Sequence, residues 1–351
     1  MSPERPVPAA AVTGNSGTRR LRILTWHVHG SYLYYLSHAR HDFYLPVRAN
    51  GGEGYGGRAG TFPWPDNVHE VDADEVRRRR FDCVLFQSRR NWFVDQWEIL
   101  SEEQRRLPRI YLEHDPPREH PTDTRHPVDD PHVLLVHVTP FNELMWDSGV
   151  TPTTVIEHGV PLPAGVRYDG SLARGIVVIN NLAPRGRRLG ADVFLRVRTE
   201  VPLDLVGIGS REVGGLGELS LTDLPPFEAR YRFFFNPIRY TSLGLAVCEA
   251  MALGLPIVGL ATAEMATVVE NGVSGYVDTD VRKLVDAMRW LLADPEGARR
   301  LGEGARRRAR DRFGIERFAG DWDRTFERVV GASDGHGRDP SARFGQLEVP
   351  A

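Results

Sequence analysis

The chain has 351 residues, 41% of them hydrophobic and 26% charged, with a formal net charge of −3 and a mean hydropathy of −0.34. That length exceeds one ordinary hydrophobic core and suits two domains of roughly 150 residues. The balanced charge excludes the overall basic excess that would recommend a nucleic-acid partner.

The first twenty residues, MSPERPVPAAAVTGNSGTRR, are rich in Pro, Ala and Gly and contain no apolar run of the signal-peptide kind. They predict a disordered tail. Near-continuous apolar runs then predict parallel strands buried on both faces at 21–28 (LRILTWHV), 81–87 (FDCVLFQ), 109–114 (RIYLEH), 133–139 (VLLVHVT) and 154–159 (TVIEHG). Helices are predicted between them at 72–80 and 140–149. A Pro/Gly-rich passage, 161–175, precedes a second series of strands at 175–180, 203–209, 232–236, 256–260 and 275–278. Amphipathic helices follow from about Thr279 to Val330, and the residues from Gly331 onward predict a second tail. Two consecutive α/β series imply two doubly wound domains, with ligands expected at the carboxyl ends of the strands. Cys83 and Cys248 lie in apolar runs and form no metal pattern, as reduced core thiols of a cytosolic protein would.

Residues 241–260, TSLGLAVCEAMALGLPIVGL, carry one charge, Glu249. Gly254 and Pro256 would interrupt a membrane-spanning helix, and Glu249 would lie near mid-membrane. The stretch instead predicts a buried helix over 243–253, a glycine stop and a short strand. A carboxylate in such a helix needs hydrogen-bond donors from elsewhere. A pair of ribose hydroxyls at a domain cleft would supply them, and so would an internal arginine. Thr241 and Ser242 are natural N-caps, Gly244 permits close backbone approach, and free N–H groups at this helix start would hold a diphosphate.

Residues 236–280, from NPIRYTSLGLAVCEAMALG to VENGVSGYVDTD, resemble the donor-site block of the retaining GT-B glycosyltransferases of family four, also described as glycosyl transferases group 1. Residues 291–329 are similar to that family's closing helices, with weaker likeness at LVGIG (205–209) and at 139–161. The resemblance implies a GT-B architecture, two Rossmann-like domains facing across a cleft. The implied divisions are tails at 1–20 and 331–351, an acceptor-side domain over 21–168, a donor-side domain over 169–312, and a helix over 313–330 crossing back to the first domain.

By the same resemblance Glu249 binds the nucleotide ribose, and the turn Ser242, Leu243, Gly244 and Leu245 holds the diphosphate through its backbone. Gly207 and Gly209 fall at the family's Gly-rich strand end. Gly30 belongs to the loop that approaches the diphosphate, and His114 contacts the transferred sugar near its anomeric centre. Two positions depart from the pattern. Thr241 stands where the family has a glutamate that holds donor-sugar hydroxyls. Asn181 falls at the position of the family's arginine, with Arg185 at or near that of its lysine and Arg187 and Arg188 close by. Three arginines after a strand end can neutralise a diphosphate with bidentate geometry, and Arg185 is the preferred catalytic one.

The resulting expectation is an enzyme that transfers a sugar from a nucleotide-diphosphate sugar to a hydroxyl of a glycan, lipid-linked or small-molecule acceptor, as in cell-envelope polysaccharide synthesis. Retention of configuration is expected, with the diphosphate taking up the acceptor's proton. No metal or other cofactor is expected, because arginines and a helix N-terminus can stabilise the departing charge, and the Asp-x-Asp-like VDADE (71–75) reads as the start of a short helix. No nucleic-acid partner is expected. The expected location is the cytoplasm, at the inner face of the membrane if the acceptor is lipid-linked. QSRRNW (87–92) and the aromatic, His-rich 29–44 are acceptor-side candidates or ordinary packing. Three other readings stand beside transfer: a nucleotide-sugar or glycan-binding pseudoenzyme, a sugar epimerase, and a metal-dependent hydrolase built on His114, His120, His126 and His132, which recur six apart.

Overall fold

A computed structural model describes residues 19–60, 62–162 and 165–334. Seven strands form one wholly parallel sheet: β1 (Arg22–Thr25), β2 (Asp42–Val47), β3 (Val68–Asp72), β4 (Cys83–Phe86), β5 (Arg109–Glu113), β6 (Val133–His137) and β7 (Thr153–Val155), in the order β3-β2-β1-β4-β5-β6-β7. A second parallel sheet holds β8 (Leu172–Val178), β9 (Leu203–Val206), β10 (Tyr231–Asn236), β11 (Ile257–Leu260) and β12 (Gly275–Asp278), in the order β12-β11-β10-β8-β9. The central strands are largely apolar because helices cover both faces; every residue of β4, β6, β10 and β11 is buried, Arg232, Asn236 and His137 included.

Two strands lacked that signature. β2 mixes buried and half-buried positions, and β3, at the sheet edge, reads Val-His-Glu-Val-Asp with only its valines buried. Period-two burial on an edge leaves no continuous apolar run to find. The same strand corrects the helix expected over 72–80: β3 runs to Asp72, and only a tight turn, Val76–Arg78, follows. Four consecutive arginines give that segment no apolar stripe for a helix to bury.

The helices are α1 (Gly30–Leu36), α2 (Gln96–Ile99), α3 (Pro140–Met145), α4 (Leu182–Arg185), α5 (Ala191–Val197), α6 (Leu224–Glu228), α7 (Leu245–Leu253), α8 (Met265–Val268), α9 (Val281–Ala293), α10 (Pro295–Phe313) and α11 (Ile315–Asp334). α7 is the buried helix expected from its composition. It ends where Gly254 takes the left-handed conformation (φ 97°) and Leu255 N–H donates to the Ala250 carbonyl at 2.9 Å. Its N-cap is Gly244, without a side-chain hydrogen bond, so neither Thr241 nor Ser242 caps it. α10 lies directly on α7: a Cβ at Gly302 would stand 2.0 Å from the Gly254 carbonyl oxygen.

α11 returns to the first sheet's helical layer. Phe318 and Trp322 are fully buried, Trp322 Nε1 donates to the Tyr32 hydroxyl at 3.2 Å, and Asp323 accepts from Arg40 N–H at 2.9 Å. The helix runs to Asp334, past the tail start expected at Gly331; the rest of both expected tails, 1–18 and 335–351, lies outside the described residues. Cys83 and Cys248 are buried and free. Among the described residues no helix is long and apolar enough to cross a membrane.

Candidate active site

In an open parallel sheet the ligand crevice lies where neighbouring strands lead their connections to opposite faces. The first sheet has that switch between β1 and β4, and the second has it between β8 and β10. The chain leaving these strands supplies residues 26–30 and 87–91 on one side, and 179–188 and 237–245 on the other. Most of the residues singled out in the sequence lie in these segments.

On the first side, Gln87 is buried and its amide nitrogen donates to Thr25 Oγ1 (2.8 Å) and to the Trp26 carbonyl (3.0 Å). Its carbonyl oxygen therefore faces His114, whose Nε2–H donates to it at 3.3 Å. The His114 ring also packs 4.1 Å from the ring of His29 and 4.8 Å from that of Tyr32. Burial first, then the nearby His29 and His158, hold His114 well below the ordinary histidine range, so it is a neutral imidazole. His158 is neutral too, pushed down to about 4 by burial, and its Nε2–H donates to the Leu243 carbonyl at 2.8 Å. Gly30 opens α1 for a local reason: a Cβ there would stand 2.7 Å from the Phe62 ring and 3.0 Å from His27 Nε2.

On the second side, Asn181 is left-handed (φ 55°), and its N–H donates to the Ile208 carbonyl at 2.7 Å. Gly207 (φ 139°) and Gly209 (φ 71°) fit around this strand exit, since a Cβ on Gly207 would lie 2.4 Å from the Ile179 carbonyl oxygen and one on Gly209 3.1 Å from Asn181 Oδ1. The two glycines thus shape the loop that carries the arginines.

The arginines divide. Arg187 is drawn to Asp192 at 2.7 Å, which Arg239 also grips at 2.6 and 2.8 Å. Arg185 is exposed and lies close enough to His29 to act on its charge. Arg188 is half-buried; burial, Arg185 and Arg118 lower its pKa, and Asp115 opposes them. Arg185 and Arg188 therefore face the first sheet's loops, where Arg118 pairs with Asp115.

At the end of β10, the α7 approach borders a small hollow lined by Asn236, Thr241, Ser242, Leu243 and Gly244. Nothing stands within 4 Å of where a Gly244 Cβ would be, so this backbone is open to a ligand. Leu243 is buried, its carbonyl taken by His158, and Leu245 packs on the core. One and a half turns into α7, Glu249 Oε1 accepts a 2.7 Å hydrogen bond from the Tyr35 hydroxyl of α1. An arginine is thus not its partner. Burial raises the Glu249 pKa and the Tyr35 bond lowers it; nearby Glu228, buried in α6, is held well above the carboxylate range by burial and by Glu249. Nothing in the sequence pointed to Tyr35, which resembled any other aromatic of a packed helix.

The remaining candidates have structural partners. His126 is buried against Glu113 Oε2 (3.2 Å) and Trp146, away from His114, while His120 and His132 are exposed. Among the described residues no group of three or more His, Cys, Asp and Glu side chains is disposed to hold a metal ion. Beyond QSRRNW, the aromatics that reach solvent are Phe93 (52% exposed) and Trp97 (60%). Glu264, within the donor-like block, is buried and joins the two halves: it accepts from Phe141 N–H at 3.1 Å and from Arg312 at 2.8 Å.

Comparison with known proteins agrees with this geometry. Over 89% of its length the chain superposes on sucrose-phosphate synthase from Thermosynechococcus elongatus, matching 100% of that chain with TM-score 0.67 and 15% identity. Over 88% it superposes on Anabaena Alr3699/HepE in complex with UDP and glucose, matching 99% of that chain with TM-score 0.65 and 14% identity. Residues 188–294 match the family described as Glycosyl transferases group 1.

In sequence the chain is 28% identical to the lipopolysaccharide core biosynthesis mannosyltransferase LpcC of Rhizobium leguminosarum bv. viciae, across 48% of this chain and 57% of that one. It is 29% identical to a trehalose synthase of Pyrococcus horikoshii, across 36% and 27%. The matches thus span from about a quarter to somewhat over half of these curated relatives' length. Two facing parallel α/β sheets with this switch-point cleft define the GT-B class. The chain has that fold in common with these structures, and its match to the group 1 glycosyl transferases lies in its C-terminal half.

Proposed function

We propose that the protein transfers a glycosyl group from a nucleoside-diphosphate sugar to an acceptor hydroxyl. The observation that carries this reading is the placement of Arg185 and Arg188 on the chain leaving β8, and of the open backbone at Gly244 on the chain leaving β10, either side of the second sheet's switch point, with the Glu249 carboxylate in the helix that follows. Arginines and a helix start suit a diphosphate, and a carboxylate six residues further along the chain suits ribose hydroxyls. The HepE structure, which holds UDP and glucose, supports a nucleotide-sugar donor, and the mannosyltransferase relative supports a glycan-building reaction.

In the proposed step the bond from the anomeric carbon to the diphosphate oxygen breaks, and a bond to the acceptor oxygen forms on the same face. The acceptor's proton passes to the departing diphosphate, whose charge Arg185 and Arg188 neutralise without a metal. The acceptor approaches over the first sheet's loops, where Trp97 and Phe93 offer an exposed aromatic surface. A panel of nucleotide sugars, assayed for nucleoside-diphosphate release and for the anomeric configuration of the product by NMR, tests the reading. An inverted product would overturn retention, and failure of every donor to bind would overturn the reading itself.

A further inference from the structure

We infer that Gln87 is the positioning residue for His114: it fixes the single ring proton on Nε2, so that His114 meets the transferred sugar with the lone pair of Nδ1 and selects a hydroxyl that donates. The inference rests on the glycosyl-transfer reading above and on the contact of His114 with the transferred sugar that the family resemblance implies.

Gln87 is the first residue after β4, beside the first sheet's switch point. It is buried, and its surroundings orient its amide. The Trp26 carbonyl, 3.0 Å from the amide nitrogen, can only accept, so the NH2 group must lie there, with Thr25 Oγ1 taking the other N–H at 2.8 Å. That leaves Oε1, also an acceptor only, 3.3 Å from His114 Nε2. Nε2 therefore carries a proton. Burial, ahead of the neighbouring His29 and His158, holds the His114 pKa well below the ordinary range, so the ring has no second proton. Nδ1 is left as an acceptor. Among the described residues nothing donates to it, yet it is not one of the fully sheltered polar atoms that lack a partner.

The other neighbours of His114 hold its place without touching its proton. Glu113 Oε1 accepts from Asp115 N–H at 2.9 Å, and Trp146 Nε1 donates to the Asp115 carbonyl at 2.8 Å, so the backbone just after His114 is pinned on both sides. The His29 and Tyr32 rings pack against the imidazole at 4.1 and 4.8 Å. Among the described residues only Gln87 bonds the ring, so Gln87 chooses which nitrogen is protonated. A sugar hydroxyl can donate or accept, but opposite a bare Nδ1 it must donate. A hydrogen or a fluorine in its place leaves the lone pair unmatched. His114 takes no proton in the transfer step already written.

Nitrogen NMR of isotope-labelled histidine in the full-length protein, assigned through His114→Gln, reads the tautomer directly. Wild type is expected to show His114 protonated on Nε2 alone at neutral pH. Affinities for deoxy and deoxyfluoro versions of the working nucleotide sugar, taken position by position, read the contact; binding is compared because a fluorine also alters rates by induction. One hydroxyl is expected whose two replacements both weaken binding about tenfold and equally. Gln87→Met is close in volume but offers no comparable acceptor. It is expected to admit the Nδ1–H form, since a sheltered N–H without an acceptor is costly. It should then bind the deoxyfluoro sugar about threefold more tightly than the deoxy sugar, because Nδ1–H can donate to fluorine, with the nucleoside-diphosphate Kd within threefold of wild type. A merely structural glutamine would move stability and leave tautomer and donor preference alone. Nδ1 protonation in wild type, a donor series with no such position, or a Gln87→Met protein with wild-type tautomer and preferences would overturn this inference alone. The wild-type spectrum and donor series decide it whether or not Gln87→Met folds. Failure of every nucleotide sugar to bind would overturn the underlying reading instead.

Discussion

Tyr35 and Glu249 stand 214 positions apart in sequence, yet the tyrosine hydroxyl donates a 2.7 Å hydrogen bond to the carboxylate. The bond links a helix of the first sheet to the most apolar helix of the second. It supplies one of the donors that a sheltered carboxylate needs and leaves the second oxygen of Glu249 for a ligand. Burial and the neighbouring carboxylate keep the Tyr35 phenol protonated far above neutral pH, so it remains a donor.

Removing that hydroxyl separates the bond's structural part from its binding part. Tyr35→Phe is expected to cost about 1–2 kcal/mol of stability, the penalty for a sheltered carboxylate oxygen left without its donor. Denaturant unfolding measures it. Glu249→Gln is expected to weaken nucleoside-diphosphate binding at least tenfold and to leave inorganic pyrophosphate binding unchanged, since only the nucleoside brings ribose hydroxyls. Calorimetric titration with both ligands checks the split.

Glu249 and Glu228 also set a pH dependence. Burial raises both carboxyl pKa values above the unfolded value. A group of this kind stabilises the fold below its unfolded pKa and loses that contribution as pH rises through its folded pKa. The carboxyls therefore favour the fold on the acid side and oppose it at neutral pH. Glu228→Gln is expected to be more stable relative to wild type at pH 7.5 than at pH 4.5, as read by unfolding midpoints at the two values.

Histidine burial works in the opposite direction. His158, pushed down to about 4, contributes stability above its unfolded pKa near 6.5, and that contribution is lost as pH falls through its folded value. The span corresponds to about 3 kcal/mol. Chemical denaturation of wild type between pH 7 and pH 4 is expected to show the loss, and His158→Gln, which keeps a donor for the Leu243 carbonyl, is expected to flatten it.

The three arginines after β8 are not equivalent. Arg187 is already paired with Asp192, whereas Arg185 is exposed at the cleft. Arg185→Ala is expected to weaken nucleoside-diphosphate binding by about 2–3 kcal/mol, a charged hydrogen bond's worth or slightly more. Arg187→Ala is expected to change it less than threefold. Thermal-shift titrations of the two variants make the comparison.

Sequence reading succeeded where one physical effect dominated. Central strands buried on both faces leave continuous apolar runs, and α7 combines such a run with a glycine stop. β2 and β3 escaped because half-exposed strands lack that run. In the site, the glycines and arginines after β8 were legible as residue types in a pattern. The turning of Arg187 toward Asp192 and the bond from Tyr35 to Glu249 were not, because both follow from packing between separate elements. His29 was visible only as one member of an aromatic, His-rich stretch; its 4.1 Å contact with His114, which follows β5, joins separate elements in the same way.

The most direct measurement is calorimetric titration of the wild-type protein with UDP, GDP and ADP, repeated on Glu249→Gln and Arg185→Ala. A nucleoside-diphosphate cleft predicts saturable binding of at least one of the three, weakened at least tenfold in both variants. Absence of binding by all three, or binding that neither variant alters, would contradict it.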